Sequence, residues 1–216
     1  MQYDSSQGEP SKTSGGSQQA ADIQHVSHVH DHVGANGPHE GVLRLAELPS
    51  SVPVVEAEGL TKLYGVVIGV NDVTVSLPPG VHGLLGPNGA GKSTLMKLLT
   101  GMLRPTEGRL TVLGTQPWNH ASLFRQVGFC PEYDAFYTYM SGFSFVAALA
   151  QLHGFSRREA RERAERALHR CGCADFMHKP IGSYSKGMRQ RTKVAQAIVH
   201  EPTFVILDEP LNGTDP

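Results

Sequence analysis

The nine residues Gly86-Pro87-Asn88-Gly89-Ala90-Gly91-Lys92-Ser93-Thr94 constrain this chain more than any other stretch. They fit G-x-x-x-x-G-K-[ST], the loop whose backbone N–H groups wrap the phosphates of a nucleotide. Glycines at 86, 89 and 91 let the backbone turn left-handed and approach phosphate oxygens without a Cβ in the way. Lys92 is placed to reach the β- and γ-phosphates as a point charge, and the Ser93 hydroxyl to ligate Mg²⁺. The flanks agree with the loop. Val81–Leu85 reads as a short buried strand entering it, and Ser93–Leu99 as a helix start whose N-terminal dipole favours an anion.

The 216 residues allow one sizeable domain and an appendage. The net charge of −1 argues for neither nucleic acid nor an acidic substrate. Residues 1–50 carry two basic and six acidic side chains, and residues 51–216 carry seventeen and fourteen, a split too small to name a partner. Cys130, Cys171 and Cys173 form no C-x-x-C pair, so the sequence suggests neither a disulfide framework nor a zinc site, and a reducing cytosolic setting is expected. The longest apolar run, Phe143 to Ala150, is far short of a membrane span. The N-terminus lacks a basic segment followed by an apolar one, so a secretory signal is not expected.

Residues 1–50 are rich in Ser, Gly, Gln and His and poor in large apolar side chains. Such a segment buries too little surface to offset its ordering entropy and is expected to be disordered. Its tract His25-Val26-Ser27-His28-Val29-His30-Asp31-His32 has a composition that binds transition metals, although a solvated tail with incidental histidines explains it as well. From Val52 the pattern becomes that of a packed α/β domain. Val52–Ala57, Val66–Leu77, Gly108–Leu113 and Val127–Cys130 read as strands, Ser141–His153 and Lys186–His200 as helices. Arg157–Arg170 is a charged helix with Glu159/Arg163 and Glu162/Arg166 four apart and a stripe of Ala160, Ala164, Ala167, Leu168 and Cys171 for burial.

Phosphate loops occur in many enzymes, and two further elements narrow the choice. Phe204-Val205-Ile206-Leu207 suits a central parallel strand covered on both faces, and it ends in Asp208-Glu209. Asp208 is placed to hold Mg²⁺ and Glu209 to polarise a water attacking the γ-phosphate, as a general base. About twenty residues earlier, Tyr184-Ser185-Lys186-Gly187-Met188 opens a helix, with Ser185 a natural N-cap and Gly187 small. That helix start is a second anion site without a lysine loop.

With these three elements in order the chain resembles the ATP-binding-cassette (ABC) ATPases over about residues 52–216. Their signature segment is usually L-S-G-G-Q; here Lys186 replaces the first glycine and Met188 the glutamine, a variant similar to that of the exporter-type branch. The resemblance implies a P-loop NTPase α/β fold with a mostly parallel core sheet, an N-terminal antiparallel β subdomain and a helical subdomain at about 132–190. It also implies ATP and Mg²⁺ as ligands. Tyr64 matches the aromatic that stacks on adenine, and Glu132 stands where the family usually carries a glutamine near Mg²⁺. Lys92, Ser93 and Asp208 would act in cis, and Ser185 and Gly187 in trans on the nucleotide of a partner ATPase, identical or related. Asp215 would communicate between the two sites.

The activity so implied is ATP hydrolysis by a transporter subunit on the cytoplasmic face of a membrane, coupled to integral permease subunits through the segment Glu132–Met140 with its Tyr133, Phe136, Tyr137 and Tyr139. Nucleic acid is not an expected partner. Two alternatives stay open at this point: a soluble ABC-type ATPase of DNA repair or the ribosome, and a nucleotide-binding fragment without turnover. Family members continue beyond the position of Pro216 to a histidine that contacts the γ-phosphate, so these residues are expected to be part of a longer protein.

Overall fold

A computed structural model describes residues 22–25 and 52–210. The rest of the tail, including most of its histidine tract, and the loop to Asp215 lie outside the described residues. Within the stretch read as a disordered tail, Asp22–His25 forms a short strand, β1.

Strand β2 (Val55–Tyr64) alternates buried Val55 and Ala57 with exposed Glu56 and Glu58, the period-two pattern of a half-buried sheet. A two-residue turn at Gly65-Val66 returns the chain into β3 (Val67–Leu77), with Gly65 at φ 62°, as such tight hairpins require. Adding β5 (Glu107–Val112) on the other side of β2 gives an antiparallel sheet in the order β3-β2-β5. Helix α1 (Lys92–Leu99) lays Leu95, Met96, Leu98 and Leu99 into the same cluster as Val55, Leu60, Leu110 and Val112 of that sheet. Fully burying a leucine such as Leu98 or Leu60 contributes roughly 2 kcal/mol, so this cluster anchors the phosphate loop from below.

Strands β6 (Val127–Cys130) and β7 (Phe204–Leu207) pair in parallel, Val127 opposite Phe204 through Cys130 opposite Leu207. The Asp208 amide donates to the Cys130 carbonyl at 2.9 Å and carries the ladder one step further. The strand entering the phosphate loop, β4 (His82–Leu85), pairs antiparallel with β1 rather than with these two. Parallel pairing among the described residues is therefore confined to β6 and β7. Two burial expectations need correction. In β7 only Ile206 is buried, while Val205 and Leu207 are 37% and 40% exposed, because β6 is its sole neighbouring strand among the described residues. Val81 and Leu85 are likewise exposed.

Three helices form a second apolar cluster. Each starts at a serine whose hydroxyl accepts an amide N–H: Ser141 for α2 (Gly142–Leu152), Ser156 for α3 (Arg157–Arg170) and Ser185 for α4 (Lys186–Ile198). At Ser156 the Glu159 carboxylate reaches back to the Ser156 amide at 3.0 Å and completes a capping box. Glu159 is thereby engaged, and neither expected charge pair forms. Arg158 bridges to Glu162 at 3.4 Å, while Arg163 and Arg166 both turn to Glu201 on the segment between α4 and β7. The alanine stripe of α3 packs as expected against Phe143, Val146 and Ile181, with Cys171 only partly buried at its end.

A pair of stacked imidazoles ties α2 to the end of α4: the His153 and His200 rings lie 3.8 Å apart and 8° from parallel. Since Val127 offers only a carbonyl, His200 Nε2 donates to it at 3.2 Å, and the buried Nδ1 has no hydrogen-bond partner. Burial, the neighbouring His153 and Arg163 push the His200 pKa down from 6.5 to about 4 against the opposing Val127 hydrogen bond. The unfolded chain then binds the proton first, so the contribution to stability is complete above about 6.5 and is lost as pH falls toward 4. His153, itself shifted down by burial, and the Arg163–Glu201 pair share this environment. Thermal unfolding followed from pH 7 to pH 4 should show the melting temperature of His200→Phe falling less steeply than that of the parent; equal slopes would refute the assignment.

Candidate nucleotide-binding site

The loop Gly86–Thr94 folds tightly around Lys92, whose ammonium donates to the Gly86 and Pro87 carbonyls at 2.8 and 2.9 Å. Helix α1 begins directly after Gly91, at φ 89°, with no side chain capping its first turn. Its leading N–H groups thus have no acceptor within the helix, the arrangement that suits an anion. Gly91 is required on two counts: its φ is left-handed, and a Cβ there would run into the Gly69 carbonyl oxygen. Gly89, at φ 84°, has open space where its Cβ would stand. The loop therefore fits a polyphosphate: amides and an ammonium are presented, and the glycines keep the approach clear.

Tyr64 ends β2 partly exposed, its ring lying against the backbone of Gly69 so closely that a Cβ at 69 would stand 2.7 Å from the ring edge and 3.1 Å from the Thr94 methyl. Tyr64 and Thr94 thus flank the same glycine, and the aromatic proposed for adenine sits beside the loop. Gly69 gave no sequence signal, because its function is to be small beside the Tyr64 ring and the Thr94 methyl, a closeness that only the folded chain creates.

Ser93, Glu132 and Asp208 line one cavity of about 630 Å³, together with Lys97, Phe129 and Tyr133. Three elements bring them there: α1 carries Ser93, the turn after β6 carries Glu132, and the end of β7 carries Asp208. The Asp208 side chain is deeply placed, the residue being 8% exposed. Burial and then the adjacent Glu209 raise its pKa, while Lys97, Lys92 and Lys193 pull it back down. A serine hydroxyl and two carboxylates are hard oxygen donors of the kind Mg²⁺ takes. Glu209 follows on the exposed side with φ 48°, a left-handed backbone that costs a non-glycine residue on the order of 1 kcal/mol and aims it differently from Asp208.

Ser185 and Gly187 do not join this cavity. Ser185 is exposed and caps α4 by accepting from the Met188 amide at 3.3 Å, and nothing stands within 4 Å of a Cβ placed on Gly187. Tyr184, in the same segment, is buried: its hydroxyl donates to Phe176 O at 2.8 Å and accepts from the Gly142 amide at 3.2 Å, joining α4 to α2. The residue that sequence reasoning missed is Lys193, 4% exposed in α4, whose ammonium reaches the Glu132 carbonyl at 2.7 Å. A lysine on the inward stripe Gln190, Lys193, Ala197 was the available signal.

Gly91→Ala should destabilise the fold in urea unfolding by more than Gly89→Ala does. Both impose left-handed strain of about 1–2 kcal/mol, and only the first adds the collision with Gly69. Equal losses would show that the close approach of the two backbones is not maintained.

The pattern of the ABC transporter family matches residues 70–212. The bacitracin transport ATP-binding protein BcrA of Enterococcus faecalis is 41% identical over 165 residues, which span 76% of this chain and 53% of that protein. The daunorubicin resistance ATP-binding protein DrrA3 of Streptomyces coeruleorubidus is 36% identical over 164 residues, 75% of this chain and 52% of the relative. The chain thus spans about half the length of the curated relatives it matches. Among solved structures, cbiO1 of Clostridium perfringens, part of the ABC transporter complex cbiONQ, superposes with a TM-score of 0.64 at 27% identity, covering 76% of this chain and 68% of that one. The site geometry, the matched family pattern and these relatives together place this chain in the ABC transporter ATP-binding family.

Proposed function

We propose that this chain binds ATP with Mg²⁺ and hydrolyses it as the nucleotide-binding part of an ABC transporter of the exporter type. The observation that carries the reading is the convergence of Ser93, Glu132 and Asp208 on one cavity beside the phosphate loop. The loop amides and Lys92 would hold the phosphates, with Lys92 exchanging its carbonyl contacts for phosphate oxygens, and Tyr64 would stack on the adenine. Ser93 and Asp208, with Glu132, would hold Mg²⁺, which when bound neutralises charge on the β- and γ-phosphates. Glu209 orients a water for in-line attack and accepts its proton as the bond from the γ-phosphorus to the bridging oxygen breaks, yielding ADP and phosphate.

Because Ser185 and Gly187 stand apart from the cavity on an exposed helix start, they fit a γ-phosphate held by a second ATPase subunit of the same or a related kind. Tyr133, Tyr137 and Tyr139 are exposed next to Glu132, while Phe136 is packed on Phe145 at 5.1 Å. The three tyrosines would meet an integral permease subunit on the cytoplasmic side of the membrane. No helix among the described residues is long and apolar enough to cross a membrane. The relatives named for bacitracin transport and daunorubicin resistance support the exporter reading.

In the native subunit carrying this chain, reconstituted with its permease, Lys92→Ala should abolish ATP binding and transport. Glu209→Gln should retain nucleotide binding by fluorescence titration and lose turnover by at least about 100-fold, the scale of losing a positioned general base. Intact transport in Lys92→Ala, or association with ribosomes in place of the permease, would overturn the reading.

A further inference from the structure

Two groups of α4 face the turn that follows β6. Lys193 donates to the Glu132 carbonyl at 2.7 Å and pairs with Asp134 at 3.2 Å, and Arg189, one turn earlier, approaches the other Asp134 oxygen at 3.7 Å. Lys193 is 4% exposed, while Asp134 is open to solvent on one side. A buried ammonium is costly unless it is paired and hydrogen-bonded. Here the hydrogen bond and the closest ion pair both come from one short segment, Glu132–Asp134, and Cys130, two residues before it, is tied to β7 through the Asp208 amide. The ammonium is also near enough to Asp208 to favour its charged form.

We propose that Lys193 is a positioning residue that locks the Glu132 segment to α4, so that the cavity wall bearing Glu132 and the helix opened by Ser185 move as one body. The lysine touches neither nucleotide nor metal; it fixes where the Glu132 backbone stands, and hence where its carboxylate faces Ser93 and Asp208. About eight residues of helix, ~12 Å, separate this anchor from the Ser185 end, a rigid distance over which a displacement of one end carries the other. The role of the Glu132 carboxylate at Mg²⁺ rests on the function proposed above, whereas the tether itself does not.

The test uses hydrogen–deuterium exchange of the nucleotide-free native subunit, comparing the parent with Lys193→Met and Asp134→Asn. Methionine keeps the buried stem and removes the ammonium, and Asp134→Asn alters an exposed partner, so it preserves the fold. Exchange in peptides spanning residues 131–139 should accelerate several-fold in Lys193→Met and less in Asp134→Asn, with peptides of α2 and α3 unchanged. Unchanged exchange at 131–139, or acceleration spread equally over all helices, would overturn the tether. A second arm reads turnover: Lys193→Met and Glu132→Ala should each lower kcat, the former by about tenfold, the lower end of what outer partners of a metal site cost. The double variant should be no worse than the more damaged single one. Additive losses would overturn action through Glu132. A parent subunit without ATP turnover would sink the proposed function and leave the exchange result to decide the tether.

Discussion

Two opposite charges lie deep at the centre of this molecule, Asp208 at the end of β7 and Lys193 on α4, each less than a tenth exposed. Neither is tolerable alone in an environment that solvates ions poorly. The lysine is held by the Glu132 carbonyl and Asp134, and the carboxylate by the combined field of Lys97, Lys92 and Lys193 against the repulsion of Glu209. The turn after β6, the start of α1 and the end of β7 therefore meet where this charge balance can be kept. A site for a divalent cation among phosphates asks for the same thing: carboxylate charge kept in reserve and shielded from water.

The rest of the architecture positions that centre. The antiparallel sheet and α1 form one apolar cluster that supports the phosphate loop, and α2, α3 and α4 form another that supports the signature segment. Between them run the parallel pair β6–β7, the His153–His200 stack and the Arg163 and Arg166 contacts to Glu201. These links hold the segment connecting α4 to β7, so the helix carrying Ser185 and the strand carrying Asp208 are joined by a short, well-tied connection.

Much of the site was legible in the chain because its residues are neighbours in sequence. A phosphate loop is local chemistry: glycines, a lysine and a serine at set spacing, followed by a helix. The strand ending in Asp208-Glu209 and the serine cap at 185 are equally local, and the observed elements follow them within a few residues. The less legible parts depended on choice among partners. Glu159 had two neighbours within reach and took the capping box over Arg163, because an amide donor at a helix start is already in place. Arg163 and Arg166 then found Glu201, some 35 residues away, which no periodicity indicates. The run before the phosphate loop looked buried and that of β7 covered on both faces, yet both leave apolar side chains exposed, since a hydrophobic run shows what a strand favours and not what lies against it.

The sequence by itself determined the phosphate loop, the strand that ends in Asp208-Glu209, the start of each helix and the family to which they belong. It did so because each of these is a short pattern whose chemistry is complete within a few residues. Only the tertiary structure decided that Ser93, Glu132 and Asp208 share one cavity, that Tyr64 rests on Gly69 beside Thr94, and that Lys193 is buried against the Glu132 segment. Those arrangements join residues from five to over a hundred positions apart. They are selected by which buried charges and close backbone approaches can be satisfied together, a condition that exists only once the chain is packed.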